Sequence, residues 1–189
     1  FDAKAAIKRG LQMLDEGADI IDVGGESTRP GHTPVDPKEE AERVVPVVRE
    51  LLKAGALVSI DTRHAEVARM CVRLGVQIIN DVSGFTDPEM VKVAADSKCG
   101  CIVMHWNKEG LGAHVERKRV ALDDSRPARP EAARSLTSQR RFTLPEEAPI
   151  MRQIMGFLGD QARILMRAGV SHDRICIDPG PGFDKFPDE

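Results

Sequence analysis

Residues 20–31 read IIDVGGESTRPG: an apolar run, two glycines, then four polar side chains before Pro30 and Gly31 turn the chain. Ile20, Ile21 and Val23 have the branched, apolar character of a buried strand. The strand gives way to a loop carrying Glu26, Ser27, Thr28 and Arg29. Strand ends that open into polar, glycine-containing loops are where α/β proteins commonly put their chemistry. Taken alone, the stretch reads equally as an ordinary strand-to-helix connection. What separates the two readings is that the same event recurs along the chain.

Four further short apolar runs end in the same way. Residues 57–60 end on Asp61, Thr62 and Arg63; residues 76–79 run into Asn80 and Asp81; residues 101–104 end on His105; and residues 175–177 end on Asp178, Pro179 and Gly180. Amphipathic helices are expected between them. Asp2 caps a first helix bearing Ile7, Leu11, Leu14 and Ala18, with Gly17 at its end. Asp36-Pro37 and Asp87-Pro88 are capping carboxylates followed by proline at the first helical position. Val44, Val47, Val48, Leu51 and Leu52 form one buried face, Val67, Met70, Cys71 and Leu74 another, and Met90, Val91 and Ala94 a third; residues 151–167 make the last helix.

Helix and strand alternating five times specify a parallel sheet covered on its faces. Two architectures satisfy that pattern, an open doubly wound sheet and a (β/α)₈ barrel. A doubly wound sheet gathers ligand groups where strand order reverses, so only some of its strands need polar ends. Here every strand ends on a polar group, with Glu26, Asp61, Asn80, His105 and Asp178 in turn. A barrel aims all its strand ends at one mouth, and the expected fold is therefore an α/β (β/α)₈ TIM barrel. A complete barrel takes eight strands and ~250 residues. The expectation is an incomplete barrel over residues 1–189, with about five of eight strands, the first and last two missing, in a chain that opens on Phe1 inside a longer protein or after a processed end.

Residues 108–149 interrupt the pattern with many arginines, alanines and prolines and few large apolar residues. They read as an irregular surface insertion on the face of the strand ends, or as a lid or partner-binding arm that uses its arginines.

A net charge of -3 carries no electrostatic footprint for nucleic acid, and no apolar run reaches the ~18 residues of a membrane span. The expected compartment is the cytoplasm. Cys71, Cys99, Cys101 and Cys176 show no CxxC spacing, and His32, His64, His114 and His172 show no ligand spacing, so reduced packing thiols are expected and no metal site. The glycine pair is neither GxGxxG nor a P-loop.

Asp61, Asn80 and Asp178 combine two acceptor carboxylates with an amide that both donates and accepts. That set suits the edge of a flat heterocycle, although each residue alone also reads as a cap or loop carboxylate. Thr28 and Arg29 offer a hydroxyl and a guanidinium to an anion such as phosphate, unless Arg29 is a solvated loop charge.

The strings DVGGESTRPG (22–31), SIDTR (59–63), INDVSG (79–84), VMHW (103–106) and DPGPGF (178–183) occur in an order that resembles the dihydropteroate synthase family of pterin-binding TIM barrels. The resemblance covers nearly the whole chain apart from residues 108–149. It implies condensation of hydroxymethyl-dihydropterin pyrophosphate with para-aminobenzoate, giving dihydropteroate and pyrophosphate. It further implies that Asp61, Asn80 and Asp178 hold the pterin ring, with Ile102 and Met104 lining its pocket. Thr28, Arg29 and Pro30 would form a mobile loop near the pyrophosphate and the arylamine, with Gly24 and Gly25 as its hinge. Phe183 would flank the para-aminobenzoate entrance. Asp61, Thr28 and Arg29 are the expected catalytic residues, with Asp61 ionised and close to the cationic carbon.

The resemblance implies magnesium, with its ligand loop ahead of Phe1, and a homodimer. Family members commonly read DPGxGFGK, whereas Asp184 here stands between Phe183 and Lys185. The lysine strand and the Ser-Arg-Lys-x-His segment are expected beyond Glu189, so the 189 residues alone are expected to show negligible synthase activity. Two other readings are a pterin-binding methyltransferase acting on methyltetrahydrofolate, against which the STRPG loop argues, and a non-catalytic pterin-binding remnant.

Overall fold

The computed structural model describes residues 2–28, 33–106, 149–181 and 183. Its elements are α1 (Ala3–Asp15), β1 (Ile21–Gly24), α2 (Pro37–Lys53), β2 (Val58–Asp61), α3 (Ala65–Leu74), β3 (Ile78–Asp81), α4 (Pro88–Asp96), β4 (Gly100–Met104), α5 (Pro149–Arg167), a short 3₁₀ turn (His172–Arg174) and β5 (Ile175–Asp178).

The helices begin where side-chain acceptors can serve their unpaired N–H groups. Asp2 Oδ1 accepts from Lys4 N–H at 2.9 Å and Ala5 N–H at 3.1 Å. Asp36 and Asp87 each accept at 2.9 Å from the N–H two residues on, with proline between. Glycine in the left-handed region stops α3, where Gly75 has φ 107°.

All four strand pairings are parallel, and the order β1-β2-β3-β4-β5 follows the chain without reversal. A doubly wound sheet would reverse direction somewhere. Uninterrupted succession is the barrel's rule, and it is carried here by an α/β sheet that is not closed by the described strands.

Alternation along the strands divides the sheet into two faces. Ile21, Val23, Val58, Ile60, Ile79, Cys101 and Val103 are all buried and meet the core-facing side chains of the helices, among them Val48, Leu51, Val67, Met90, Leu158 and Leu165. The alternate residues face the would-be barrel interior, where polar side chains collect.

Several expected packing residues lie elsewhere. Met70 is 44% exposed, because α3 turns Val67, Ala68 and Cys71 inward. Leu11 is exposed too, since α1 meets α2 through Gly10, where a Cβ would lie 2.7 Å from Leu51 Cδ2. The described cysteines are free thiols; Cys71, Cys99 and Cys101 are buried, whereas Cys176 is exposed on the inner face. Burial pushes the Cys71 thiol up to about 12 and Cys101 to about 11. No helix among the described residues is long and apolar enough to cross a membrane. The expected insertion lies outside the described residues up to Pro149, which opens α5.

Candidate functional site

The inner face of the sheet is laid out by register. Gly24 pairs with Asp61, Asp61 with Asn80, Asn80 with Ile102 and Ile102 with Cys176, making one level across all five strands. One level below are Asp22, Ser59, Ile78 and Gly100. One level above, Met104 pairs with Asp178. Asp61, Asn80, Asp178, Ile102 and Met104 therefore share a face, with Asp178 nearest the mouth.

Asn80 gains a partner that the motifs alone do not single out. Its Nδ2 donates to Asp22 Oδ2 at 3.2 Å, tying the third strand's amide to the first strand's carboxylate. The signal for Asp22 was its position between Ile21 and Val23: with both neighbours packed on the helices, alternation turns the acid inward.

Asp61 is neutral or charged according to its surroundings, and these raise its pKa from 3.8 to about 7. Burial contributes most, followed by the negative fields of Asp22, Glu40, Asp81 and Glu26. At neutral pH, before a ligand binds, the group therefore stands near its midpoint. A positive charge arriving at the site would draw it toward the ionised form.

The two glycines also have a different role from the expected hinge. Neither has a left-handed φ. Gly24 lies within β1, and a Cβ there would come within 3.2 Å of Asp61 Oδ2. On Gly25 a Cβ would lie 2.8 Å from Glu40 Cγ and 2.9 Å from Val44 Cγ1. Both are small so that the strand can pass close to a carboxylate and to α2.

Two of the five polar strand ends are engaged by other side chains. Glu26 is held by Arg63, whose Nε and Nη2 donate to it at 2.8 and 2.9 Å, and its side chain is 8% exposed. That pairing holds its carboxyl below the usual value despite burial, which works the other way. His105 sits on the helix-facing side, 5% exposed, with its ring edge-on to Phe157 at 5.3 Å. Its backbone N–H donates to Asp178 O at 2.9 Å, so it contributes to strand pairing.

Asp81 likewise turns away from Asn80. It is fully buried and accepts from Ser83 N–H, Ser83 Oγ–H and Phe85 N–H at 2.8, 2.7 and 2.9 Å. Those bonds fold the turn after β3, in which Gly84 and Phe85 have φ 73° and 59°.

At the mouth, Asp178 Oδ1 accepts from Gly180 N–H at 2.8 Å, and Trp106 and Phe183 meet edge to face with ring centres 5.2 Å apart. Thr28 is half-buried beyond Glu26, whereas Arg29 and Pro30 lie outside the described residues, as does Asp184. No group of three or more His, Cys, Asp or Glu side chains among the described residues converges as a metal site, so no magnesium ligand is assigned to them. The assembled face offers acceptor carboxylates at several heights, one bifunctional amide and the apolar walls of Ile102 and Met104.

Known proteins resemble this chain along almost its whole length. A dihydropteroate synthase from Staphylococcus haemolyticus is 38% identical over 185 residues, covering 97% of this chain and 56% of its own length. Among solved structures, Burkholderia cenocepacia dihydropteroate synthase complexed with 7,8-dihydropteroate matches with a TM-score of 0.75 at 33% identity, over 98% of this chain and 57% of that one. Anaplasma phagocytophilum dihydropteroate synthase with bound 6-hydroxymethylpterin-monophosphate matches with a TM-score of 0.74 at 34% identity, over 98% and 62%. The chain thus spans little more than half the length of these relatives. The family model described as "Pterin binding enzyme" matches residues 1–189, and the chain belongs to that family.

Proposed function

We propose that the protein carrying this chain is a dihydropteroate synthase, a transferase joining hydroxymethyl-dihydropterin pyrophosphate to para-aminobenzoate and releasing pyrophosphate. The observation that carries the reading is the shared level of Gly24, Asp61, Asn80 and Ile102, with Asp178 one level nearer the mouth. Asn80 and Asp178 are assigned to the donor and acceptor edge of the pterin, and Ile102 and Met104 to its flat faces. Thr28, with Arg29 and Pro30, is assigned to the pyrophosphate side, and Phe183 to the arylamine entrance.

An arylamine is a weak nucleophile, so breaking the bond between methylene carbon and pyrophosphate oxygen leads, with the electron pair leaving on pyrophosphate. The methylene carbon is left cationic and conjugated to the ring. Asp61 meets that developing charge in its carboxylate form and stabilises it. The amine lone pair then forms the new carbon–nitrogen bond and the nitrogen sheds a proton, for which a carboxyl with a pKa of about 7 is a matched acceptor. Magnesium and a homodimer, both implied by the family resemblance, belong to this proposal, as does a cytoplasmic location.

The test is an assay of the native-length protein with both substrates, following pyrophosphate release and dihydropteroate formation. Both products in equal amounts are expected. Methyl transfer from methyltetrahydrofolate without pyrophosphate release would overturn the reading.

A further inference from the structure

The root of the first loop is clamped at successive residues. Gly25 O accepts from Arg43 Nη1 at 2.8 Å. Glu26 accepts from Arg63 at two nitrogens and from Val35 N–H at 3.1 Å. One carboxylate therefore joins the start of the loop, its return at Val35 ahead of α2, and the exit of β2. The next residue after Arg63 repeats the arrangement: His64 Nδ1 lies 2.5 Å from Oε2 of Glu40, an α2 side chain with no exposed surface. The turn between β2 and α3 thus grips both the loop root and the helix that follows the loop.

We infer that Arg63 is a positioning residue that, through Glu26, sets where Thr28 stands relative to Asp61. Arg63 is two residues beyond Asp61, and Glu26 is two residues before Thr28. Two residues of chain span at most ~7 Å, so the ion pair limits where Thr28 can stand relative to Asp61, whose own place is set by strand register. A guanidinium donating through two nitrogens fixes orientation as well as distance, which a lysine ammonium cannot do. Glu26 is nearly buried and Arg63 is 29% exposed, so water competes weakly for the contact. The inference rests on the proposed synthase reading and adds to it the group that spaces the Asp61 carboxylate from the pyrophosphate-side hydroxyl.

Arg63→Lys in the native-length protein tests it with two readouts. Calorimetric affinity for bare 6-hydroxymethylpterin, held by Asn80 and Asp178, is expected to stay within about twofold of the parent. The KM for the pyrophosphorylated pterin is expected to rise at least about tenfold, as small misplacements do. If Arg63→Lys fails to fold, Glu26→Gln decides by the same readouts, since its amide nitrogen opposes the Arg63 Nε–H donor while its oxygen can still serve Val35. Parallel loss of both quantities, or no change in either, would overturn the positioning role. A parent protein that binds pterin but releases no pyrophosphate would overturn the synthase reading, and this inference with it.

Discussion

Asp61 carries the sharpest consequence at the scale of single residues. Its folded pKa of about 7 lies above the unfolded 3.8, so the native state binds the extra proton between those values. The stability this gives is full below about pH 4 and is lost as pH rises toward 7. Displacement over that range corresponds to at most about 4 kcal/mol, and solvent on the open face reduces it to on the order of 2 kcal/mol. Asp61→Asn, a permanently neutral group, is therefore expected to match the parent in urea unfolding at pH 4. At pH 8 it should exceed the parent by on the order of 2 kcal/mol while losing synthase turnover. A difference independent of pH would contradict the assignment. Asp178 separates binding from shape: Asp178→Asn keeps an acceptor for Gly180 N–H and removes the charge. Both Asp178→Asn and Asp178→Ala are expected to weaken pterin binding by calorimetry at least about tenfold. Only the alanine variant should also lose the turn bond, lowering stability by about 1 kcal/mol.

Among the elements, the turn after β3 has the least latitude. Gly84 has φ 73°, and a Cβ there would lie 2.6 Å from Met104 O and from two ring atoms of Phe157. Gly84→Ala combines left-handed backbone strain with overpacking of a strand carbonyl, and should destabilise by about 3 kcal/mol. Thermal unfolding with retained helical circular dichroism is the measurement. The helices themselves were legible because their signals are local: Asp-Pro caps at α2 and α4, and glycine stops after α1 and α3. Strand identities were also legible, with differences confined to ends; β3 begins at Ile78 and runs through Asp81, so Asn80 is a strand residue. The glycine pair was legible as special, but its reason was not, because Glu40 and Asp61 approach it from other elements.

Over the whole molecule, stability is concentrated on the helix-facing side of the sheet. Ile79 is fully buried there, whereas Ile177 near the β5 edge is 58% exposed. Ile79→Ala is expected to cost about 2–5 kcal/mol in urea unfolding of this chain, and Ile177→Ala only about 0.5 kcal/mol. Equal effects would mean that β5 is covered in solution. The strings at the five strand ends, read in order, were enough for the alternating α/β pattern and the barrel family, because motif spacing and caps are properties of neighbouring residues. Tertiary structure decided which strand ends share a face. It turned His105 toward Phe157 and Glu26 toward Arg63, brought Asp22 to Asn80, and surrounded Asp61 with burial and four other acids that shift its protonation. Pleat direction and the field of distant charges depend on strand register and on side chains tens of residues away, and neither is written in any one stretch of the chain.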